Sequence, residues 1–295
     1  MKKILCLAVA ATAITWAQAP DFSKVEIKAN KISSNFYMLE GQGGQIGVLT
    51  GPDGVFMVDG QFAPLSDKIA AAIKGVGGGQ IRLLVNTHVH GDHTGGNENF
   101  GKMGATIIAR PELRYRLAHP NPLANGQPAP ATPEIGLPKL LYVDTLTVPM
   151  NGEEIHIIAI PHAHTDGDSI VHFVNNDVIM TGDFYRSVQF PNVDRGNGGS
   201  LNGLIDGLSR VIALAGPNTK IIPGHGPIVD RNAVMANRDM TIAIRAKISG
   251  MVKQGMTLEQ VIAAKPLAEF DGKVQQAGTT GDRFIGQAYA DIKAN

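Results

Sequence analysis

The sequence predicts a layered α/β fold, and three features of the 295-residue chain indicate it. Short apolar, β-branched runs alternate with longer segments of helical spacing. This order of strands, helices, strands and helices divides the chain into two similar halves. The 35 glycines and 17 prolines, which are typical of turns and loops, show no collagen-like or solenoid repeat.

The first residues are typical of an export signal. Lys2-Lys3 form a positive start, Ile4–Ile14 form a short apolar core, and Ala17-Gln18-Ala19 has the form of a cleavage site. Residues 1–19 are therefore predicted to be a signal peptide, with cleavage after Ala17 as the alternative because Pro20 disfavours the later cut. Residues 20–295 are expected to form a single periplasmic or secreted domain. The apolar core is shorter than the roughly 20 residues of a membrane span, so we expect no membrane anchor in the mature form.

The composition excludes several kinds of chemistry. The 26 acidic and 26 basic residues balance, and no basic patch with interleaved aromatic residues is evident, so we expect no nucleic-acid partner. The only cysteine, Cys6, lies inside the predicted signal. The mature protein is therefore expected to have no disulfide and no thiolate ligand or nucleophile. The expected partner is a small-molecule substrate, and the oligomeric state does not follow from the sequence.

The first half of the chain contains a strand meander, two helices and a long loop. The predicted elements are strands at 35–39, 45–49 and 54–58, a helix at 65–76, strands at 81–85 and 106–109, and a helix at 111–118. The Pro- and Gly-rich segment 119–138 has no predicted structure. We interpret it as either a lid or binding loop, or a disordered insertion.

The second half repeats this pattern and ends in helices. The predicted elements are strands at 145–148, 154–160, 169–174, 178–181 and 220–222, and helices at 201–215, 232–251, 257–264 and 284–292. We expect the last three helices to pack on the outside of the sheets. His156 and His172 alternate with apolar residues inside strands and are interpreted as outward-facing or satisfied polar residues. From this pattern alone, only a layered α/β fold follows.

The strongest functional signal follows the apolar run Ile81–Val85. His88, His90, Asp92 and His93 come directly after this predicted strand, and the carboxyl end of a strand is a common place for a site in layered folds. Two residues apart in an extended segment, His88 and His90 point to the same side and can share one ion. Asp92 and His93 follow Gly91 and can reach a second ion. Imidazole nitrogen and carboxylate oxygen are ligands that Zn²⁺ accepts.

The spacing His-x-His-x-Asp-His resembles the signature of the metallo-β-lactamase superfamily. The resemblance implies a four-layer αββα sandwich and three further motifs, each after an apolar strand. These are found at Pro161–Asp168 with His164, at Met180–Asp183 with Asp183, and at Ile222–Pro227 with His225. His162 lies near the first of these motifs, but the motif match favours His164.

The resemblance also implies a two-metal site and a mechanism. One ion is expected on His88, His90 and His164 and the other on Asp92, His93 and His225, with Asp183 bridging them. Two zinc ions per chain are expected, with iron or manganese as alternatives. Such a pair lowers the pKa of bound water and provides a hydroxide near neutral pH. Asp92 is the expected catalytic residue, which orients the hydroxide and passes a proton to the leaving group. Asp59 is expected either to support the site from behind or to be a simple turn residue.

The resemblance implies a hydrolase but does not name the substrate. A β-lactam or related cyclic amide or ester is the leading expectation. The alternatives are a phosphodiesterase, thioesterase or lactonase, an iron-dependent sulfur dioxygenase, and a non-catalytic binding protein. The β-lactamases of this superfamily carry a cysteine or a serine where Asp183 stands, and the bridging aspartate looks more like the glyoxalase II, lactonase and phosphodiesterase branches.

Substrate contacts are expected directly after Asp183. Arg186 lies about where some of these β-lactamases place a lysine that anchors the substrate carboxylate. It is interpreted either as a site for an anionic group or as a surface arginine. Tyr185, Phe184 and the loop 190–199 are expected to line the pocket.

Overall fold

The computed structural model describes residues 21–123, 125–270 and 272–294. The predicted signal peptide and Cys6 lie outside this part of the chain. The first of two sheets has seven strands that neighbour one another in chain order: β1 (Lys28–Lys31), β2 (Phe36–Glu40), β3 (Ile46–Leu49), β4 (Val55–Val58), β5 (Ile81–Val85), β6 (Thr106–Ala109) and β7 (Leu140–Leu141). The second has five, also in chain order: β8 (Thr145–Met150), β9 (Glu153–Ile160), β10 (Asp168–Phe173), β11 (Val178–Met180) and β12 (Lys220–Ile222).

Helices cover the outer faces of the sheets. They are α1 (Ser66–Gly75), α2 (Gly91–Thr94), α3 (Asn97–Lys102), α4 (Pro111–Ala118), α5 (Leu201–Leu214), α6 (Arg231–Lys253), α7 (Leu258–Ala263) and α8 (Thr280–Ala294). Among the described helices, none is long and apolar enough to cross a membrane.

The two sheets face one another across an apolar core. Phe173 on β10 lies against Phe36 on β2 and Phe56 on β4, with ring centroids 4.5 and 5.8 Å away. Both contacts are edge-to-face, an arrangement that stabilises aromatic pairs beyond their burial. All four residues of β4 are buried, because one face packs against the second sheet and the other against helices.

The outer layers complete four layers in the order helix, sheet, sheet, helix. Ile69 and Ile73 of α1 and Phe100 of α3 pack against the outer face of the first sheet. On the second sheet, α5 buries an apolar stripe, and its first turn is capped by the Ser200 side chain, which accepts a hydrogen bond from Gly203 N. The helices α6 and α8 pack on this layer and share its apolar core, which contains Phe284. The four-layer αββα prediction is confirmed.

The strand directions place several strand ends at one edge. The strands β4, β5, β6 and β7 are parallel, and so are β11 and β12. The carboxyl ends of parallel neighbours meet at the same edge of a sheet, so the loops after β4 and β5 lie together, as do those after β11 and β12. Three of the four predicted metal-binding motifs follow β5, β11 and β12. The motif with His164 follows β9, which is antiparallel to β10 and therefore runs in the same direction as β11.

Candidate metal centre

The loops after four strands bring the predicted ligands together in two groups. One group contains His88, His90, His164 and Asp183, and the other contains Asp92, His93 and His225. Within each group, the nitrogen and oxygen atoms that can bind a metal lie within 4.8 Å of one another. The structure thus assembles all seven residues from segments that follow β5, β9, β11 and β12.

Two histidines of the first group direct unprotonated ring nitrogens toward each other. His164 Nδ1 lies 2.7 Å from the carbonyl oxygen of Asn192, and His90 Nε2 lies 2.7 Å from Asp194 Oδ2. Both oxygens are acceptors, so we assign the ring protons to these two nitrogens from the hydrogen-bond network. In the neutral rings, the opposite nitrogens, His164 Nε2 and His90 Nδ1, are then 2.9 Å apart with no proton between them. Ligands that share one cation have this arrangement.

Asp59 holds His93 and His88 from behind. The backbone of Asp59 is in the left-handed region, with φ of 60°. Its carboxylate accepts hydrogen bonds from Thr87 N at 2.8 Å, from Thr87 Oγ1 at 2.7 Å and from His93 Nδ1 at 2.7 Å. Because the Thr87 hydroxyl donates to Asp59, it accepts from His88 Nδ1 at 3.1 Å. Both histidines therefore direct Nε2 into the site. Asp59 thus makes the contacts that the predicted supporting role requires.

Asp183 lies between the two groups. Its Oδ1 lies 3.3 Å from His93 Nε2 and 3.3 Å from His225 Nε2, while its Oδ2 lies 3.9 Å from His164 Nε2. Asp92 Oδ2 lies 3.1 Å from His225 Nε2 on the open side of the second group. One oxygen of the Asp183 carboxylate therefore faces each group, as a bridging ligand requires.

The unsatisfied atoms of the site fit a divalent metal. Within the described part of the chain, His88 Nε2, His93 Nε2, His225 Nε2 and Asp183 Oδ1 are buried and have no hydrogen-bond partner. An unsatisfied buried polar atom costs about 1–3 kcal/mol, so such atoms seldom cluster without a reason. Imidazole and carboxylate donors without a thiolate suit zinc and other borderline divalent ions.

Burial keeps two of the histidines neutral. It lowers the pKa of His88 well below its usual range and lowers the pKa of His164 to about 4. At neutral pH both rings therefore have a free lone pair, and a metal has no proton to displace from them.

His93 has the opposite electrostatic environment. Burial disfavours its charged form, but the carboxylates of Asp59 and Asp183 outweigh burial and raise the pKa of His93 well above its usual range. In the metal-free site, a protonated His93 therefore compensates the charge of Asp183. A bound cation would take over that role and release the proton.

Two glycines allow the backbone to approach the site closely. A Cβ atom at Gly44 would lie 2.1 Å from the His93 ring, and one at Gly224 would lie 2.0 Å from Asp183 Oδ1. Gly44 also donates a backbone hydrogen bond to the Asp92 carbonyl oxygen at 3.1 Å. The loop between β2 and β3 thus packs directly on the second group.

A cavity of about 840 Å³ opens beside His90. Its wall contains residues of the segment 119–138, which was predicted to be either a lid or binding loop, or a disordered insertion. In this segment, Thr132 N donates to the Leu117 carbonyl oxygen at 2.9 Å, and Asn121 Nδ2 donates to Asn197 Oδ1 at 3.0 Å. The position of the segment supports its interpretation as a binding loop.

The predicted substrate contacts lie on another side of the centre. Arg186 Nη2 lies 3.5 Å from Asp183 Oδ2, and its Nη1 donates to Gln189 Oε1 at 2.9 Å. Tyr185 is buried, and both residues line a second cavity. Their role in substrate binding stays a prediction.

The other histidines lie outside both groups. His162 Nδ1 is 3.0 Å from the Gly198 carbonyl oxygen and the residue is exposed. His156 Nε2 lies 2.5 Å from Glu154 Oε1, as predicted for a satisfied polar residue. His172 lies opposite His156 in the register of β9 and β10, but its Nδ1 is buried without a hydrogen-bond partner among the described residues, so the interpretation as a satisfied polar residue is wrong for His172. The structure assembles none of them with the seven candidate ligands.

Sequence reasoning missed Asp194, which contacts His90 Nε2. The loop 190–199 was predicted only to line the pocket. The two residues are 104 positions apart, and an aspartate in an irregular loop has no fixed spacing from a ligand. The available signal was the aspartate itself, in a loop already assigned to the site.

Comparisons with known proteins agree with this geometry. The family model described as "Metallo-beta-lactamase superfamily" matches residues 39–225, which include all seven candidate ligands. Two curated relatives are hydroxyacylglutathione hydrolases. The one from Nitrosococcus oceani is 29% identical over 168 residues, 55% of this chain and 55% of that protein. The one from Polaromonas sp. is 26% identical over 231 residues, 78% of this chain and 81% of that protein.

Solved structures with the same fold have diverse activities. A metallo-beta-lactamase from Pontibacter korlensis superposes with a TM-score of 0.61 at 16% identity, covering 74% of this chain and 99% of that one. The stereoselective inverting sec-alkylsulfatase Pisa1 from Pseudomonas sp. has a TM-score of 0.64 at 16% identity, covering 90% of this chain and 47% of that one. At these identities, the likeness concerns the fold alone.

Proposed function

The chain belongs to the metallo-β-lactamase superfamily and is a metal-dependent hydrolase, and we propose that it holds two zinc ions and cleaves a carboxylic thioester or ester. The position of Asp183 carries this proposal. Its Oδ1 faces His93 and His225, and its Oδ2 faces His164. A carboxylate shared in this way is suited to two cations of one site.

The bound metals would supply Lewis acidity, which polarises the substrate carbonyl and lowers the pKa of an attacking water. The chain's own residues position the reactants. Asp92 has a side chain 25% exposed, and its Oδ2 lies 3.1 Å from His225 Nε2. It is the carboxylate of the site that can orient the water, accept its proton and pass it to the leaving sulfur or oxygen. The new C–O bond forms as the C–S or C–O bond to the leaving group breaks.

Two features support a thioester as the first substrate class. The aspartate at position 183 resembles the glyoxalase II, lactonase and phosphodiesterase branches, whereas the β-lactamases differ there. The two curated relatives are also named as hydrolases of hydroxyacylglutathione, a thioester. A β-lactam or related cyclic amide or ester is the second candidate. Arg186 favours it, because its guanidinium beside Asp183 can pair with a substrate carboxylate.

A substrate panel on the zinc-loaded protein tests this proposal. We expect a hydroxyacylglutathione thioester to have a higher kcat/KM than a lactone, a chromogenic β-lactam or a phosphodiester. Asp92→Asn should reduce kcat by roughly 10²–10⁴-fold, because the proton-transferring carboxylate is lost. The control His162→Asn should keep full activity, since that ring lies outside both groups. Phosphodiester cleavage above all other activities, or activity only with iron, would overturn the proposal.

We also propose that the protein is exported. The support is the charged start, apolar core and cleavage motif of residues 1–19. Mass spectrometry of the protein recovered from the periplasm or medium should show a first residue of Gln18 or Pro20. An intact chain that begins at Met1 in the cytoplasmic fraction would contradict export.

A further inference from the structure

A second cavity, of about 640 Å³, lies where α6 faces the segments that follow Asp183 and His225. Its volume is within the range of small-molecule sites, roughly 300–1,000 Å³. Much of its wall is apolar, with Pro227 and Val229 on one side, Met240 on α6, and Phe270 and Val274 from the segment between α7 and α8. An apolar chain is the kind of ligand that such a wall stabilises.

Among the described residues, two carboxylates line this cavity, and both already have cationic partners. Asp239 Oδ1 lies 2.8 Å from Arg238 Nη2, and Glu269 Oε1 lies 2.9 Å from Lys247 Nζ. Neither carboxylate is therefore free to compensate a further cation in the wall.

The two other charged residues of the wall are cations. Lys273 Nζ lies 5.6 Å from the Phe270 ring centroid, and no carboxylate of the described residues forms an ion pair with it. Arg186 contacts only Asp183 among the described carboxylates, at 3.5 Å, and that carboxylate also faces the metal-binding histidines. Among the described lining residues, cations and carboxylates are thus equal in number. Because Asp239, Glu269 and Arg186 all have partners outside the lining, Lys273 is the lining charge that has no ion-pair partner among the described residues.

We propose that this cavity binds an amphiphilic carboxylate, with its apolar chain along α6 and its carboxylate paired with Lys273. The site lies outside the two metal-binding groups, and the ligand needs no metal to bind. It goes beyond the hydrolase activity, which depends on the seven ligands.

Direct binding of decanoate to the protein as purified, repeated on the chelator-treated protein, tests the proposal. Chelator-treated protein excludes coordination of the carboxylate by metal, and calorimetry or displacement of a fluorescent fatty acid gives Kd. Ala236 and Ala246 are exposed alanines on the same helix, and only Ala236 lines the cavity. Ala236→Trp should weaken binding about tenfold by filling the cavity, whereas Ala246→Trp should leave Kd unchanged. Lys273→Gln should weaken it roughly twofold to fivefold, as expected for an exposed ion pair.

The uncharged analogue decanol completes the test. Decanol should bind the wild type more weakly than decanoate does. In Lys273→Gln, decanol and decanoate should bind with equal affinity. Decanoate binding that is equal in both tryptophan variants, or decanol binding as tight as that of decanoate, would overturn the proposal. Absence of decanoate binding to the folded wild type would overturn it as well. Because no step uses metal or turnover, failure here leaves the proposed hydrolase unaffected.

Discussion

Asp194 fixes the orientation of His90 from the side opposite the metal-binding nitrogen. Its Oδ2 accepts the Nε2 proton at 2.7 Å, so Nδ1 is left to coordinate. Asp194→Asn keeps the size of the side chain and retains an oxygen for Asn197 N. We expect this substitution to weaken metal binding roughly 10- to 100-fold, measured by competition with a chromophoric chelator.

The control for Asp194→Asn is a carboxylate of similar local role. Asp53 also accepts a backbone hydrogen bond, from Asn151 N at 2.7 Å, but it lies in an exposed turn. Asp53→Asn should leave metal affinity unchanged. Equal affinities in wild type and Asp194→Asn would show that His90 is oriented by its packing alone.

For individual residues, the sequence predicted the ligands that follow strands better than the residues that hold those ligands in place. The seven candidate ligands follow apolar runs in recognisable motifs, and the structure brings them together. The supporting contacts of Asp194 and the Asn192 carbonyl depend on how the loop 190–199 folds back on the site. A backbone carbonyl leaves no trace in the sequence, so that contact was not predictable.

Among the elements, the loop between β2 and β3 controls the second ligand group through Gly44. Any side chain at this position meets the His93 ring, since a Cβ would lie 2.1 Å from it. Gly44→Ala should therefore displace His93 or the loop, and metal bound to the second group should be lost first. Elemental analysis should show about one metal per chain instead of about two.

Gly91→Ala is the matched control for Gly44→Ala. Gly91 lies among the ligands, between His90 and Asp92, but a Cβ there would meet nothing within 4 Å. This variant should keep the wild-type stoichiometry. If Gly44→Ala also binds metal normally, the close packing of that loop is not required by the centre.

The elements were predicted well where their burial is periodic or complete. The buried strands β4 and β5 and the amphipathic α5 lie close to their predicted bounds. β1 was missed because all four of its residues are exposed, and it joins the sheet only by backbone pairing with β2. The two-residue β7 is too short for any side-chain pattern to reveal it.

In the whole molecule, the candidate ligands come from both sheets, so a bound metal should contribute to stability. Its ligands follow β5 of the first sheet and β9, β11 and β12 of the second, and four buried ligand atoms lack hydrogen-bond partners within the described residues. When the free metal concentration is a thousandfold above Kd, metal binding should stabilise the folded state by about 4 kcal/mol.

Thermal unfolding with and without a chelator measures this contribution. The metal-free protein should unfold at a lower temperature, and added zinc should restore the higher one. His225→Ala removes one ligand that follows β12, and it should show a smaller shift on zinc addition. A transition temperature that does not respond to zinc in the wild type would contradict a metal shared by both sheets.

The four-layer arrangement itself required more than the sequence pattern. Strands and helices were predictable from periodicity, but the assignment of strands to two facing sheets depends on long-range contacts such as that of Phe36 with Phe173. The resemblance in the metal motifs supplied that assignment, and the structure confirms it. The helices α6 and α8 pack against α5 and each other on the outside of the two sheets, as was predicted for the last helices.

Metal stoichiometry in the wild type and in Asp183→Ala tests the central claim, a two-metal centre bridged by Asp183, most directly. Protein purified without added metal should contain about two zinc ions per chain, and the variant about one, because two dications in one site need the bridging negative charge. Asp53→Ala should match the wild type. One metal per chain in the wild type, or an unchanged stoichiometry in Asp183→Ala, would contradict the bridged centre.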